Sequence, residues 1–233
     1  MHLRTLTLAT LSAAALLTAG QLPLTASAHG TARPTSAGEG SVGAADLLAK
    51  VTSCTQVSHG RYRTDANTRA AIPVCGKKGA VFWKADMDID CDGRRTAKCN
   101  ERTDPWFYAD TAFHQSDGRP LRSDTLPYVV VPGASGIWNP ARAGIRGGAV
   151  VAVIHDKQVR YAVVGDTGPT KIIGEASYAT ARALDIDPNP STGGTASGVT
   201  YILFKNSQVS PIENHKAAVA LGQRLTKRFL LDN

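Results

Sequence analysis

Ala149-Val150-Val151-Ala152-Val153-Ile154-His155-Asp156-Lys157-Gln158-Val159-Arg160-Tyr161-Ala162-Val163-Val164-Gly165-Asp166-Thr167-Gly168-Pro169 is the stretch that decides the fold. Two β-branched runs, 149–154 and 159–164, flank a polar turn and predict a hairpin. Gly165 to Pro169 is expected to break the chain after the second run. A short apolar link then reaches Glu175, and Ala176 to Leu184 follows with helical period. Further out, Phe82 to Cys91, Thr125 to Pro132 and Val199 to Phe204 read as strands. Ala45 to Val51 reads as a short helix, and Asn214 to Phe229 as a closing amphipathic one. The sum is mainly β with a few helices.

Trp83-Lys84-Ala85-Asp86-Met87-Asp88-Ile89-Asp90-Cys91-Asp92-Gly93 carries the clearest chemical signal. Aspartates recur at every second position. A strand points alternate side chains to opposite faces, so Asp86, Asp88, Asp90 and Asp92 share one face. Like charges at that spacing repel, and the row makes sense against a cation. A metal ion and a cationic substrate both satisfy that condition. Asp88-x-Asp90-x-Asp92-Gly93 matches the start of a calcium loop, but such a loop needs Glu at its twelfth position, and Cys99 stands there. A plain alternative is an acidic edge strand that discourages edge pairing.

Bulk properties narrow the classes. Arg4, the apolar run Leu6 to Ala19 and the small residues Ala26-Ser27-Ala28 predict a secretory signal peptide over residues 1–28. Cleavage there removes Arg4 and no acid, lowering the formal charge from +7 to +6. Residues 29–45, rich in Gly, Ala, Ser and Thr, are expected to be a flexible leader. Residues 46–233 suffice for one cored domain. Lys and Arg are scattered without an aromatic-laced cluster, which argues against nucleic acid. The apolar run is too short for a membrane span. An exported chain favours disulfides among Cys54, Cys75, Cys91 and Cys99. Three pairings are possible; local loop closure favours Cys54–Cys75 and Cys91–Cys99. The cysteine spacing does not suit a zinc site, and no cofactor is expected. A secreted monomer is the expectation.

Asp166 ends a β run and Glu175 stands at the expected entry of a helix. Two carboxyls at the ends of neighbouring elements can flank one cleft. Glycoside hydrolysis needs such a pair, one to protonate the leaving oxygen and one to activate water or attack. A turn aspartate and a helix-start glutamate are also good local choices without any chemistry. Trp83, Trp106, Phe107, Tyr108 and Trp138 could stack on sugars, but core packing is the stronger expectation for them.

Together these residues resemble the fungal and actinobacterial chitosanases of glycoside hydrolase family 75. The likeness is carried by Ala85-Asp86-Met87-Asp88-Ile89-Asp90-Cys91-Asp92-Gly93, by Leu126-Pro127-Tyr128-Val129-Val130-Val131-Pro132, and by Gly165-Asp166-Thr167-Gly168-Pro169 followed by Gly174-Glu175-Ala176-Ser177. The resemblance implies endo-hydrolysis of chitosan, the β-1,4-linked glucosamine polymer, with inversion. Its acid pair carries over to Asp166 and Glu175. The segment between the two is short here. The ammonium groups of chitosan explain the aspartate row: a net positive chain needs a concentrated acidic groove, lined by Asp86, Asp88, Asp90 and Asp92. Glu has the higher reference pKa, so Glu175 is assigned general acid and Asp166 general base, although a helix start would favour the Glu175 anion. The hairpin, the Asp-Thr-Gly-Pro turn and the Ala-rich helix also resemble a six-stranded double-psi β-barrel, a pattern shared with expansins and some lytic transglycosylases. The competing functions are therefore a lytic transglycosylase on peptidoglycan, which needs one acid, and an expansin-like binding module.

Overall fold

The computed structural model describes Glu39 and residues 42–233, all within one compact unit. The expected signal peptide, 1–28, lies outside the described residues, as does most of the expected leader. Of that leader, Glu39 accepts a hydrogen bond from the Tyr161 backbone N–H at 2.9 Å and meets His215 Nε2 at 3.0 Å. Val42 and Ala44 are buried.

Eight strands form in chain order: β1 Thr55–Gln56, β2 Cys75–Lys77, β3 Ala80–Asp90, β4 Tyr128–Pro132, β5 Val150–His155, β6 Gln158–Gly168, β7 Glu175–Ser177 and β8 Thr195–Phe204. Their hydrogen-bonded order is β1-β2-β3-β7-β4-β6-β5-β8, and β8 pairs back onto β3. That last pairing closes six strands into a barrel, the expected architecture. Closure leaves no free edge among those six strands. β3 pairs with β7, and β4 with β6, in parallel; the other barrel pairs are antiparallel. The predicted hairpin is β5–β6, turning at Asp156 with φ 51°, as the primed hairpin turns require.

Alternation along the strands feeds two hydrophobic clusters. Trp83, Met87, Val129, Val151, Val164, Ala176 and Tyr201 belong to one. Phe82, Tyr128, Val130, Ile154, Tyr161, Val163 and Phe204 belong to the other. Helix α1, Ala44–Lys50, and helix α3, His215–Asp232, contribute Leu47, Ala218 and Phe229 to the second cluster. Asn214 caps α3, its side chain accepting from the Ala217 N–H at 3.0 Å. No described helix is long and apolar enough to cross a membrane. Cys54–Cys75 and Cys91–Cys99 are both bonded.

One expectation needs correction. Gly165 does not end the second run of the hairpin; β6 continues to Gly168. Gly165 instead forms a bulge, because Val129 pairs with Val164 while Val130 pairs with Asp166. The extra residue shifts the alternation by one. Asp166 would otherwise share a face with Val164, in the first cluster. The bulge turns it to the face of Val130. Glycine is required at the bulge because a β-carbon would stand 2.6 Å from Tyr128 Cβ and 2.8 Å from Leu121 Cδ1. We predict that Gly165→Ala overpacks this contact, costs roughly 1–3 kcal/mol of stability and displaces Asp166. Chemical denaturation of the variant checks this; an unchanged midpoint would contradict it.

Candidate active site

The acidic strand supplies one wall of the site. β3 and β7 run in parallel with Asp88 opposite Glu175 and Ile89 opposite Ala176. Paired residues project to the same side, so Asp88 and Glu175 share a face while Ile89 and Ala176 enter the first cluster. The bulge puts Asp166 on the carboxylate side as well. A β-carbon at Gly168 would lie 2.6 Å from Glu175 Oε2 and 3.0 Å from Val130 Cγ1. The Glu175 carboxyl therefore packs over β6 two residues beyond Asp166.

These residues line a cleft of about 390 Å³. Its carboxylic side chains are Asp88, Asp90, Asp92, Asp104, Asp166 and Glu175, and no Lys, Arg or His is among its lining residues. Trp106 stands on its rim, 89% exposed. Asp86, expected in the groove with its neighbours, does not line it. The residue is buried, and its Oδ1 has no hydrogen-bond partner among the described residues. The link that joins β6 to β7 covers it. Gly174, at φ 119°, comes so close that a β-carbon there would meet Asp86 Oδ1 at 2.0 Å. Only glycine meets both demands easily.

The carboxyls differ in what holds them. Asp166 Oδ1 accepts from the Ala112 N–H at 2.8 Å and from its neighbour Thr167 N–H at 2.7 Å. Burial raises its pKa, while these two bonds pull against the rise. Glu175 has no such support: no hydrogen bond reaches its carboxyl among the described residues. Burial, then repulsion from Asp88, Asp92 and Asp166, pushes it up to about 7. Burial and the charge of Asp88 likewise take Asp86 to about 7. Burial lifts Asp88 and Asp92 to about 6 each, helped by Asp65 at the first and by Asp166 at the second. Asp90 is also raised well above its ordinary value, by burial first and then by Asp92 and Asp166.

Two sequence expectations change here. Glu175 does not sit at a helix start. It opens β7, and helix α2, Tyr178–Ala183, begins after Ser177, whose side chain caps it by accepting from the Thr180 N–H at 3.2 Å. The helix-start effect that would favour the Glu175 anion falls off within the first turn, and Glu175 lies outside that turn. Aromatic placement divides as well. Trp83 and Trp138 are buried and meet edge to face at 6.2 Å, whereas Trp106 and Tyr108 are exposed. Asp104 is a cleft residue with no signal in the sequence, because it comes from an irregular loop with no periodicity to read, and Trp106, a sugar-stacking candidate for which core packing is the stronger expectation, stands on the rim instead. Asp90 Oδ1 accepts from the Asp92 N–H at 2.7 Å, and Asp92 Oδ1 from the Tyr108 N–H at 2.6 Å. Among the described residues no group of three His, Cys, Asp or Glu side chains could hold a metal ion.

A family model described as fungal chitosanase of glycosyl hydrolase group 75 matches residues 87–229, more than half of the chain. The chain belongs to this family. It is 32% identical over 132 residues to endo-chitosanase C of Aspergillus oryzae, covering 54% of this chain and 32% of that protein. An endo-chitosanase of Aspergillus oryzae strain ATCC 42149 / RIB 40 is 32% identical over 149 residues, or 58% of this chain and 59% of the relative. One from Aspergillus fumigatus is 32% identical over 142 residues, with 55% and 59% covered. The chain thus spans between a third and three-fifths of the length of these relatives. The matched segment contains Asp88, Asp90, Asp92, Asp104, Asp166 and Glu175, so the whole acidic lining of the cleft lies within the family domain.

The raised carboxyls have a thermodynamic consequence. Between pH about 4, where they would titrate unfolded, and pH 6–7, where several titrate folded, the folded state holds more protons. Stability therefore falls as pH rises through that window. The free protein is expected to melt several degrees lower at pH 8 than at pH 5, with salt restoring part of the loss at pH 8. Scanning calorimetry at both pH values checks this; a melting temperature that rises with pH would contradict it.

Proposed function

We propose that this family member is a secreted, endo-acting chitosanase that hydrolyses β-1,4 bonds between glucosamine units with inversion. One observation carries the reading. The cleft concentrates six carboxyls with no basic side chain among its lining residues, in a chain whose formal charge is +7. Six carboxyls in one groove with no basic side chain call for a cationic occupant, and their spread along a cleft suits an extended polycation. A chain of ammonium-bearing sugars has that form. The curated relatives are endo-chitosanases, which supports the same substrate. Two disulfides fit an oxidising, extracellular setting.

In this mechanism Glu175 is the general acid. Its pKa near 7 keeps it protonated under mildly acidic conditions, ready to donate to the departing glycosidic oxygen. Asp166 is the general base. Its two backbone N–H bonds favour the carboxylate, which activates a water on the opposite face of the sugar. Inversion sets the two carboxyls roughly 6.5–9.5 Å apart to admit that water. Asp88, Asp90 and Asp92 hold ammonium groups along the cleft, while Asp86 is a buried support beneath the link to Glu175. A lytic transglycosylase would need one acid and has no use for the acidic wall. An expansin-like module would bind without releasing reducing ends.

Reducing-end release from highly deacetylated chitosan tests the assignment. Asp166→Asn and Glu175→Gln are each expected to lower turnover by about 10²–10⁴-fold while remaining folded by circular dichroism. Wild-type activity that survives both substitutions would overturn the pair; binding without any release would favour the module. The pH profile should fall above about 7, as Glu175 loses its proton, and fall again in acid as Asp166 gains one. NMR of the first product should show the α-anomer. The β-anomer would indicate retention instead.

A further inference from the structure

The rim of the cleft carries a feature outside the acid pair. Among the described residues only Val57, Trp106, Tyr108 and Leu231 are exposed large hydrophobics. Two of these four fall within three residues of each other, beside the cleft. A single exposed aromatic needs no explanation, but the backbone that carries this one is fixed at the cleft rim. Asp104 to Phe107 is a turn, with the Phe107 N–H donating to the Asp104 carbonyl at 3.2 Å. Pro105 at its second position fixes φ. The buried Asp104 side chain accepts from the Trp106 N–H at 2.9 Å, and the cleft residue Asp92 accepts from the Tyr108 N–H. The Arg95 guanidinium lies over the Phe107 ring at 5.5 Å. The segment before the turn is further tied to the loop that precedes β8, since Ser191 Oγ donates to the Thr103 carbonyl at 2.7 Å. Two of the carboxyls lining the cleft thus hold the aromatic segment as well as facing the groove.

We propose, on the reading of the cleft as a chitosan site, that Trp106 is a sugar-binding platform on which the face of one glucosamine ring rests. The apolar face of a pyranose suits an exposed indole carried on a turn whose backbone is fixed at the cleft rim. An ammonium group near that face gains a cation–π attraction, and the adjoining carboxyls Asp104 and Asp92 add charge complementarity. The platform would fix where the polymer enters the cleft, so it bears on affinity and register rather than on bond cleavage.

The test is calorimetric titration of a β-1,4-glucosamine hexamer into Glu175→Gln, and into the same variant carrying Trp106→Ala or Trp106→Phe. Alanine is expected to weaken binding about tenfold, and phenylalanine to restore it to within a few-fold. All three should melt at the same temperature, because the indole is exposed. Unchanged affinity on Trp106→Ala would overturn the platform while leaving the chitosan reading intact. Weakening that phenylalanine does not repair would also overturn it, since any aromatic face should serve. A Glu175→Gln protein that binds no hexamer would overturn the chitosan reading and the platform with it.

Discussion

Mutual repulsion among carboxyls in one cleft is the constraint on which this molecule turns. Unfolded, Asp104, Asp166 and Glu175 would lie far from the local row Asp88, Asp90 and Asp92, and all would be solvated. Folding brings six of them to a single groove, so the barrel must hold against their charge. The protein manages this in two ways. Some carboxyls are tied to backbone N–H groups, as Asp90, Asp92, Asp104 and Asp166 are. Burial first and repulsion second also raise the group toward neutrality, Asp90 well above its ordinary value and Glu175 and the buried Asp86 to about 7. Hydrogen bonding distinguishes the proposed base from the proposed acid: burial raises both, but only Asp166 has backbone N–H groups pulling against the rise.

The barrel wall makes this arrangement possible through two local irregularities. The bulge at Gly165 re-aims Asp166 without altering the strand that carries it. Close passage of Gly174 over Asp86 brings Glu175 down beside Asp88. A regular strand and a bulkier link would have sent both acids elsewhere. The bulge sits within the paired strand β6, and the Gly174 carbonyl accepts from the Asp88 N–H at 2.8 Å, so both acids leave fixed backbone, which is what a site needing fixed geometry requires.

Much of this was legible in the chain. Alternating aspartates predicted a strand with an acidic face, and β3 has one. The hairpin, the closing helix and the local cysteine pairing were also readable, because each depends on residues close in sequence. What escaped was set by tertiary packing. Gly165 reads as a breaker alone, and only the register against Val129 and Val130 reveals a bulge. Glu175 followed by Ala-Ser reads as a helix entry, yet pairing with Asp88 draws it into a strand. Asp86 belongs to the row by period, but a link from elsewhere in the chain buries it. Asp104 and Trp106 come from a loop, where no periodicity points to a cleft. Trp106 was expected in the core on composition, and Pro105 and the Asp104 cap place it at the surface instead.

The most direct measurement is a carboxyl-carbon NMR titration of Glu175 in the free protein and with bound glucosamine oligomer. The account predicts a midpoint near 7 in the free protein, falling when ammonium groups occupy the cleft and relieve the repulsion. A midpoint at an ordinary glutamate value in the free protein, unmoved by the oligomer, would contradict it.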